Sequence, residues 1–173
     1  MDIISELNGK RILIWGYGRE GKATEHFLQR CVKPASVDIF EGKKEEIDED
    51  DYDFIIKSPG IVMNEENQKY TSETGITGTK GKSTTSAMLY TVLKACSGRP
   101  VLLLGNIGQP CLDYFEEVTE DTIIVYEMSC HQLAHTNVSP HIAIFLNLCE
   151  EHLDYYGTVE KYFEAKSHIA AYQ

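Results

Sequence analysis

The stretch Thr77-Gly78-Thr79-Lys80-Gly81-Lys82-Ser83-Thr84 has the residue types of a phosphate cradle. Glycines let the backbone turn tightly and aim N–H groups at an anion. In such a loop Lys82 reaches the outer phosphates of a nucleotide, and the Ser83 hydroxyl ligates Mg²⁺. The apolar-rich run from Ala87 to Leu93 then predicts a helix, whose N-terminus adds partial positive charge. The full Walker pattern asks for a further glycine ahead of this loop, where the chain has Ile76. The competing reading is an ordinary glycine-rich loop, which the helical run after Thr84 argues against.

A second glycine cluster lies near the N-terminus. Arg11-Ile12-Leu13-Ile14-Trp15 reads as a strand, Gly16-Tyr17-Gly18-Arg19-Glu20-Gly21 follows, and a helix runs on to about Arg30. The next strand, Ser36 to Phe40, ends at the acid Glu41. Strand, G-x-G-x-x-G, helix, strand and acid form a dinucleotide-type fingerprint. It places a nucleotide diphosphate near Gly18 and Arg19, with Glu41 accepting from a ribose or base. A plain βα turn and an exposed acid at a strand end are the alternatives. The acidic run Glu45 to Asp51 is read as a solvated connection.

These residues need elements to hold them. Asp53 to Lys57 predicts a third strand leading into the turn Ser58-Pro59-Gly60. Pro100–Leu104, Thr122–Tyr126 and His141–Asn147 are near-continuous apolar strands, as expected of a parallel sheet covered on both faces. Asn106, Glu127 and His152 fall beyond their ends, where open α/β sheets bind ligands. A phosphate loop normally follows a buried strand, yet ahead of this one only Ile76 is strand-like. The expectation is therefore that residues are missing between about Tyr70 and Gly75. In the last helix Val159, Tyr162, Phe163, Lys166, Ile169 and Ala170 share one face. Lys166 interrupts that apolar stripe. Either its stem is buried and its amine snorkels to water, or it is a desolvated, reactive amine with a lowered pKa. Cys130, His131 and His135, with Glu127 nearby, lack the spacing of a four-ligand zinc site.

Composition excludes several classes. The chain has 173 residues, 42% hydrophobic and 25% charged, enough for a globular core. Its formal charge of −11 argues against a nucleic-acid surface. No run has the length of a membrane span and no N-terminal signal pattern occurs. Five scattered cysteines without a C-x-x-C pair read as reduced thiols of a cytoplasmic protein.

In order along the chain, Thr77–Thr84, Gly105-Asn106-Ile107-Gly108, Glu127-Met128-Ser129, Glu150-Glu151-His152-Leu153-Asp154 and Ala165-Lys166 resemble the motifs of the Mur ligases. The segment Ile14 to Gly21 and Ser58-Pro59-Gly60 are most similar to the D-glutamate-adding branch. The resemblance implies an α/β protein: a Rossmann-like domain over residues 1–73 and part of a P-loop ATPase-type central domain over 74–173. It implies that the first domain holds the UDP part of UDP-N-acetylmuramoyl-L-alanine, not NAD, with the diphosphate near Gly18, Arg19 and Glu20 and the uracil near Glu41. Ser58, Gly60, Asn106, Ser129 and His152 would contact the substrate further along. Gly78, Thr79, Lys80, Gly81, Lys82, Ser83 and Thr84 would hold ATP. Ser83 and Glu127 would ligate one Mg²⁺, and His152 with a carbamylated Lys166 a second. The implied chemistry is ATP-dependent amide formation with D-glutamate through an acyl phosphate, by a cytoplasmic enzyme that is a monomer at full length.

Two departures from the family pattern stand out. The segment between Ser58-Pro59-Gly60 and the phosphate loop is shorter by about a strand and its helix, and the chain stops at Gln173, inside the central domain. The expectation is an incomplete portion lacking the C-terminal ligase domain and inactive by itself. Rival readings are a sister ligase or folylpolyglutamate synthase-like enzyme, an NAD-dependent oxidoreductase built on Gly16–Gly21, and a non-catalytic nucleotide-binding fragment.

Overall fold

A computed structural model describes residues 3–57, 74–107 and 109–173. The turn at Ser58, Pro59 and Gly60, the stretch around Tyr70 where the sequence suggests missing residues, and Gly108 all lie outside them. The chain forms two compact units, one of residues 1–63 with 110–117, the other of residues 64–109 with 118–173.

In the first unit α1 (Ile3–Leu7), β1 (Arg11–Trp15), α2 (Arg19–Cys31), β2 (Ser36–Phe40) and β3 (Phe54–Lys57) follow in order. The strands make a parallel sheet in the order β2-β1-β3. β1 is central, so both its edges are paired, and Ile12, Leu13, Ile14 and Trp15, which alternate between its two faces, are all buried. That explains its unbroken apolar run. Ile12, Ile14, Phe27, Leu28 and Val32 form the core between β1 and α2. Residues 110–117 return to this unit, where Phe115 meets Phe27 edge-on at 4.9 Å.

The second unit contains β4 (Thr74–Thr77), α3 (Lys82–Cys96), β5 (Val101–Gly105), β6 (Ile123–Glu127), α4 (Cys130–Leu133), β7 (Ile142–Phe145), α5 (Leu153–Tyr156) and α6 (Val159–Ala171). Its sheet runs β5-β6-β4-β7, every pairing parallel. The strand ahead of the phosphate loop therefore exists, at an interior position of the sheet. Hydrophobicity missed it because Ile76 is its only large apolar residue. At Gly75 a side chain could not fit: a Cβ there would lie 2.6 Å from Pro140 and 3.1 Å from Met128. β4 is held by pairing on both sides and by close packing instead of by its own side chains.

α6 lies against this sheet with Tyr162, Ala165, Lys166 and Ile169 buried. The buried face is thus narrower than the periodicity suggests. Ala165 belongs to it, whereas Phe163 is 50% exposed and Ala170 is on the solvent side. α6 is tied to α4 by the Leu133 carbonyl, which meets His168 Nδ1 at 2.9 Å. Among the described residues no helix is long and apolar enough to cross a membrane.

Gly21 sits where α2 passes closest to the end of β1. A Cβ added there would collide with the backbone carbonyl of Gly16, while one added at Gly18 would meet nothing within 4 Å. Gly21→Ala should therefore destabilise the first unit by about 1–3 kcal/mol. Gly18→Ala should cost under about 1 kcal/mol, the scale of a helix-cap change. Urea denaturation of the two variants checks the contrast, and equal effects would show that the approach at Gly21 is not a constraint.

Candidate functional site

In the second unit the phosphate-loop segment leaves β4 at Thr77 and enters α3 at Lys82. Thr77 is fully buried and its hydroxyl donates to the Met128 carbonyl at 2.9 Å. Gly81 (φ +82) stands at the N-cap of α3, which no side chain caps among the described residues. The first N–H groups of a helix have no intrahelical acceptor, so this end can take an anion.

One residue that sequence reasoning passed over shapes the loop. Asn147, just past β7, accepts on its side-chain oxygen from the N–H groups of Thr79 at 3.1 Å and Lys80 at 2.9 Å, and its amide donates to the Lys80 carbonyl at 2.9 Å. At these two positions the loop's N–H groups turn to a side chain of the protein itself. Those groups are spent on Asn147, and the donors for an anion are those of the α3 start. The signal was faint: a polar residue closing an apolar strand, 67 positions from its partner. The Thr79 hydroxyl also accepts from the Cys149 N–H at 3.0 Å and lies 3.3 Å from the Tyr162 hydroxyl. Lys82 folds back, its amine donating to the Thr79 carbonyl at 3.0 Å.

Lys166 is 1% exposed, which disposes of snorkelling. Its amine donates to the Gly78 carbonyl at 2.8 Å and lies 4.8 Å from the Tyr162 ring centroid. Burial lowers its pKa to about 8 by disfavouring the charged form; Lys82 pushes the same way, while Cys130 and Glu151 oppose. The last helix thus brings a weakly basic amine onto the phosphate loop.

Glu127 is the last residue of β6, opposite Ile76, and is fully buried. One carboxylate oxygen accepts from the Asn106 amide at 2.9 Å, and the other has no hydrogen-bond partner among the described residues. A buried carboxylate oxygen left in this state suits a cation. Asn106, next after β5, is anchored by its N–H on the Glu127 carbonyl at 3.0 Å. Ser129 serves as the N-cap of α4 in a capping box with Gln132, each accepting from the other's N–H. Ser83 and Thr84 stand in the first turn of α3, both exposed. His152 does not follow directly on β7 but precedes α5, in left-handed backbone (φ 56). Its ring centroid is 6.1 Å from that of Tyr162.

In the first unit Gly18 stands at the N-cap of α2, again with no side chain capping it among the described residues. Arg19 is exposed, and Glu20, half-buried, has its pKa raised chiefly by burial. Glu41 is exposed just after β2. Beside it the Trp15 indole N–H donates to the Gly42 carbonyl at 3.1 Å, fixing the turn. Ser58 and Gly60 lie outside the described residues.

The family model described as the Mur ligase middle domain matches residues 76–173. A relative from Clostridium kluyveri, named UDP-N-acetylmuramoylalanine--D-glutamate ligase, is 36% identical over 166 residues, covering 84% of this chain and 36% of its own length. A relative of the same name from Streptococcus pyogenes serotype M49 is 32% identical over 213 residues, covering 99% of this chain and 47% of its own. The chain spans less than half the length of these relatives. The 213 aligned positions exceed the 173 residues here, so the streptococcal protein carries residues with no counterpart in this chain.

The Lys166 amine gives a pH prediction. Below about pH 8 it is charged in both the folded and the unfolded chain. Between about 8 and the usual 10.5 the unfolded chain holds a proton that the folded chain does not. Stability should therefore rise with pH across that window relative to Lys166→Met. Denaturant titrations in CO₂-free buffer check the difference in slope, and parallel pH profiles would refute the lowered pKa.

Proposed function

This chain belongs to the Mur ligase family, and from that membership we propose that it is part of a cytoplasmic ATP-dependent amide ligase of peptidoglycan synthesis, adding D-glutamate to UDP-N-acetylmuramoyl-L-alanine. The observation that carries the reading is the Lys166 amine set on the Gly78 carbonyl of the phosphate loop at 2.8 Å. A plain glycine-rich loop has no use for a buried, weakly basic lysine. The relatives' shared name supplies the acceptor amino acid.

In this reading the loop Gly78, Thr79, Lys80, Gly81, Lys82, Ser83 and Thr84 holds ATP, Thr79 and Lys80 by keeping its shape through Asn147 and the residues of the α3 start by facing the phosphates. Lys82 swings from the Thr79 carbonyl to the outer phosphates, and the α3 N-terminus supplies N–H donors. The substrate carboxylate is a poor acylating agent, so the γ-phosphoryl group moves to it first. The D-glutamate amine then attacks the acyl phosphate, and phosphate leaves. Asn106 and Ser129 orient the substrate, Asn106 through the amide already set by Glu127. In the first unit the diphosphate sits at the α2 N-terminus near Gly18, Arg19 and Glu20, and the uracil near Glu41.

Ser83 and Glu127 would hold one Mg²⁺, and His152 with Lys166 a second. The Glu127 oxygen that has no partner among the described residues fits the first. The lowered pKa of Lys166 fits the second, because a neutral amine can add CO₂ and become an anionic carbamate ligand. Bound Mg²⁺ offsets the charge crowded between ATP and the carboxylate. Lys82 adds its own positive charge there.

Three measurements test this. In a protein carrying this chain at the length of its relatives, phosphate release from ATP should require both UDP-N-acetylmuramoyl-L-alanine and D-glutamate. Release with another amino acid instead would move the assignment to a sister ligase. In the chain itself, Lys82→Ala should weaken Mg-ATP binding about 10–100-fold, the scale of a charged hydrogen bond, and leave UDP binding unchanged. With ¹³C-bicarbonate, a carbamate NMR signal should appear and be lost in Lys166→Arg. A signal that survives that substitution removes Lys166 from the metal-binding role.

A further inference from the structure

α4 and the turn ahead of α5 bring three ligand-type side chains to one point. Cys130 Sγ, a ring nitrogen of His131 and a ring nitrogen of His152 all lie within 4.8 Å of one another. His135 is not part of this cluster, which is why spacing along the chain did not disclose it. We propose that Cys130, His131 and His152 bind a transition ion of the Zn²⁺ class, with a further position open to water.

The donor set selects the metal. A thiolate with two imidazoles suits Zn²⁺ or Co²⁺, whereas Mg²⁺ takes oxygen ligands. The three groups are held from different sides. Cys130 and His131 begin α4, whose start is locked by the capping box of Ser129 and Gln132. The His131 ring stacks on Tyr156 at 5.7 Å and 14°, and meets Tyr155 edge-on at 4.5 Å. His152 is the one non-glycine residue with positive φ among those described. Left-handed backbone is costly for such a residue and tends to mark sites where a side chain must be aimed. His152 is aimed at His131, ring centroids 5.2 Å apart.

Burial is graded across the cluster: Cys130 is 3% exposed, His131 is half-buried and the His152 side chain is 45% exposed. An ion enters past His152 and ends against the buried sulfur. Metal–ligand bonds of roughly 2.0–2.3 Å draw the donors closer than they now stand, a movement that the exposed His152 side chain can supply. As the sulfur–metal bond forms, the thiol proton leaves to solvent. Binding here does not depend on the ligase reading. Only its consequence does: an ion holding His152 removes that residue from the Mg²⁺ role assigned above, so Zn²⁺ inhibits.

Co²⁺ is the probe, titrated into this chain with Mg²⁺ in excess and no nucleotide. A single ion should bind with a thiolate-to-metal charge-transfer band in the near ultraviolet, and Zn²⁺ should abolish the band. Cys130→Ser should lose it, and His131→Phe should weaken binding by at least about tenfold with an unchanged circular dichroism spectrum. No band in the wild-type chain overturns the proposal. A band surviving Cys130→Ser does so too, by placing the thiolate elsewhere, as at the exposed Cys149. Cys130 is a core residue, so if Cys130→Ser fails to fold, His131→Phe decides: unchanged Co²⁺ affinity there also overturns the site.

Discussion

An amine held away from water must have an acceptor, and Lys166 finds its acceptor in the Gly78 carbonyl. Much of the second unit depends on that one contact. It sets α6 against the phosphate loop, and Tyr162, one turn earlier on the same face, reaches the Thr79 hydroxyl. A lysine in this position carries a desolvation cost that a leucine would not. Its retention there makes sense if the weakly basic amine is itself the useful group, which is how the ligase reading employs it.

The loop is held from its other side by Asn147. Both contacts follow from the parallel sheet. Every strand of the unit ends on the same edge, so the segments leaving β4, β5, β6 and β7 must crowd together there. Thr77–Lys82 follows β4, Asn106 follows β5, Glu127 closes β6 and Asn147 follows β7. β4, an interior strand, is short and poor in side chains, and its glycine lets Pro140 and Met128 close over it. A bulkier β4 would push the neighbouring segments apart and spread the polar groups at its end.

The first unit applies the same rule on a smaller scale. β1 is central and buried on both faces, Gly21 permits α2 to begin close against the strand end, and the start of α2, which no side chain caps among the described residues, lies at that edge. The Trp15 indole holds Gly42, and with it the turn where Glu41 stands.

Residue pattern alone determined much of this protein. Strands whose side chains are large and apolar announced themselves: β1 and β2 fall on the residues that periodicity marks, and β3, β5, β6 and β7 within a few. Glycine-lysine-serine chemistry pointed to the phosphate loop, and the run of motifs pointed to the family that the comparisons show. What sequence could not disclose depends on contacts between distant positions. β4 lacks the apolar signal because neighbouring strands, not its own side chains, stabilise it. Periodicity put Lys166 on a buried face but could not say whether its amine reached water or a carbonyl. The spending of the Thr79 and Lys80 N–H groups on Asn147, the hydrogen bond from the Asn106 amide to Glu127, and the meeting of His152 with Cys130 and His131 all join residues far apart in the chain. Local propensity is written in neighbouring residues, whereas the partner of a buried polar group is chosen only when the sheet closes.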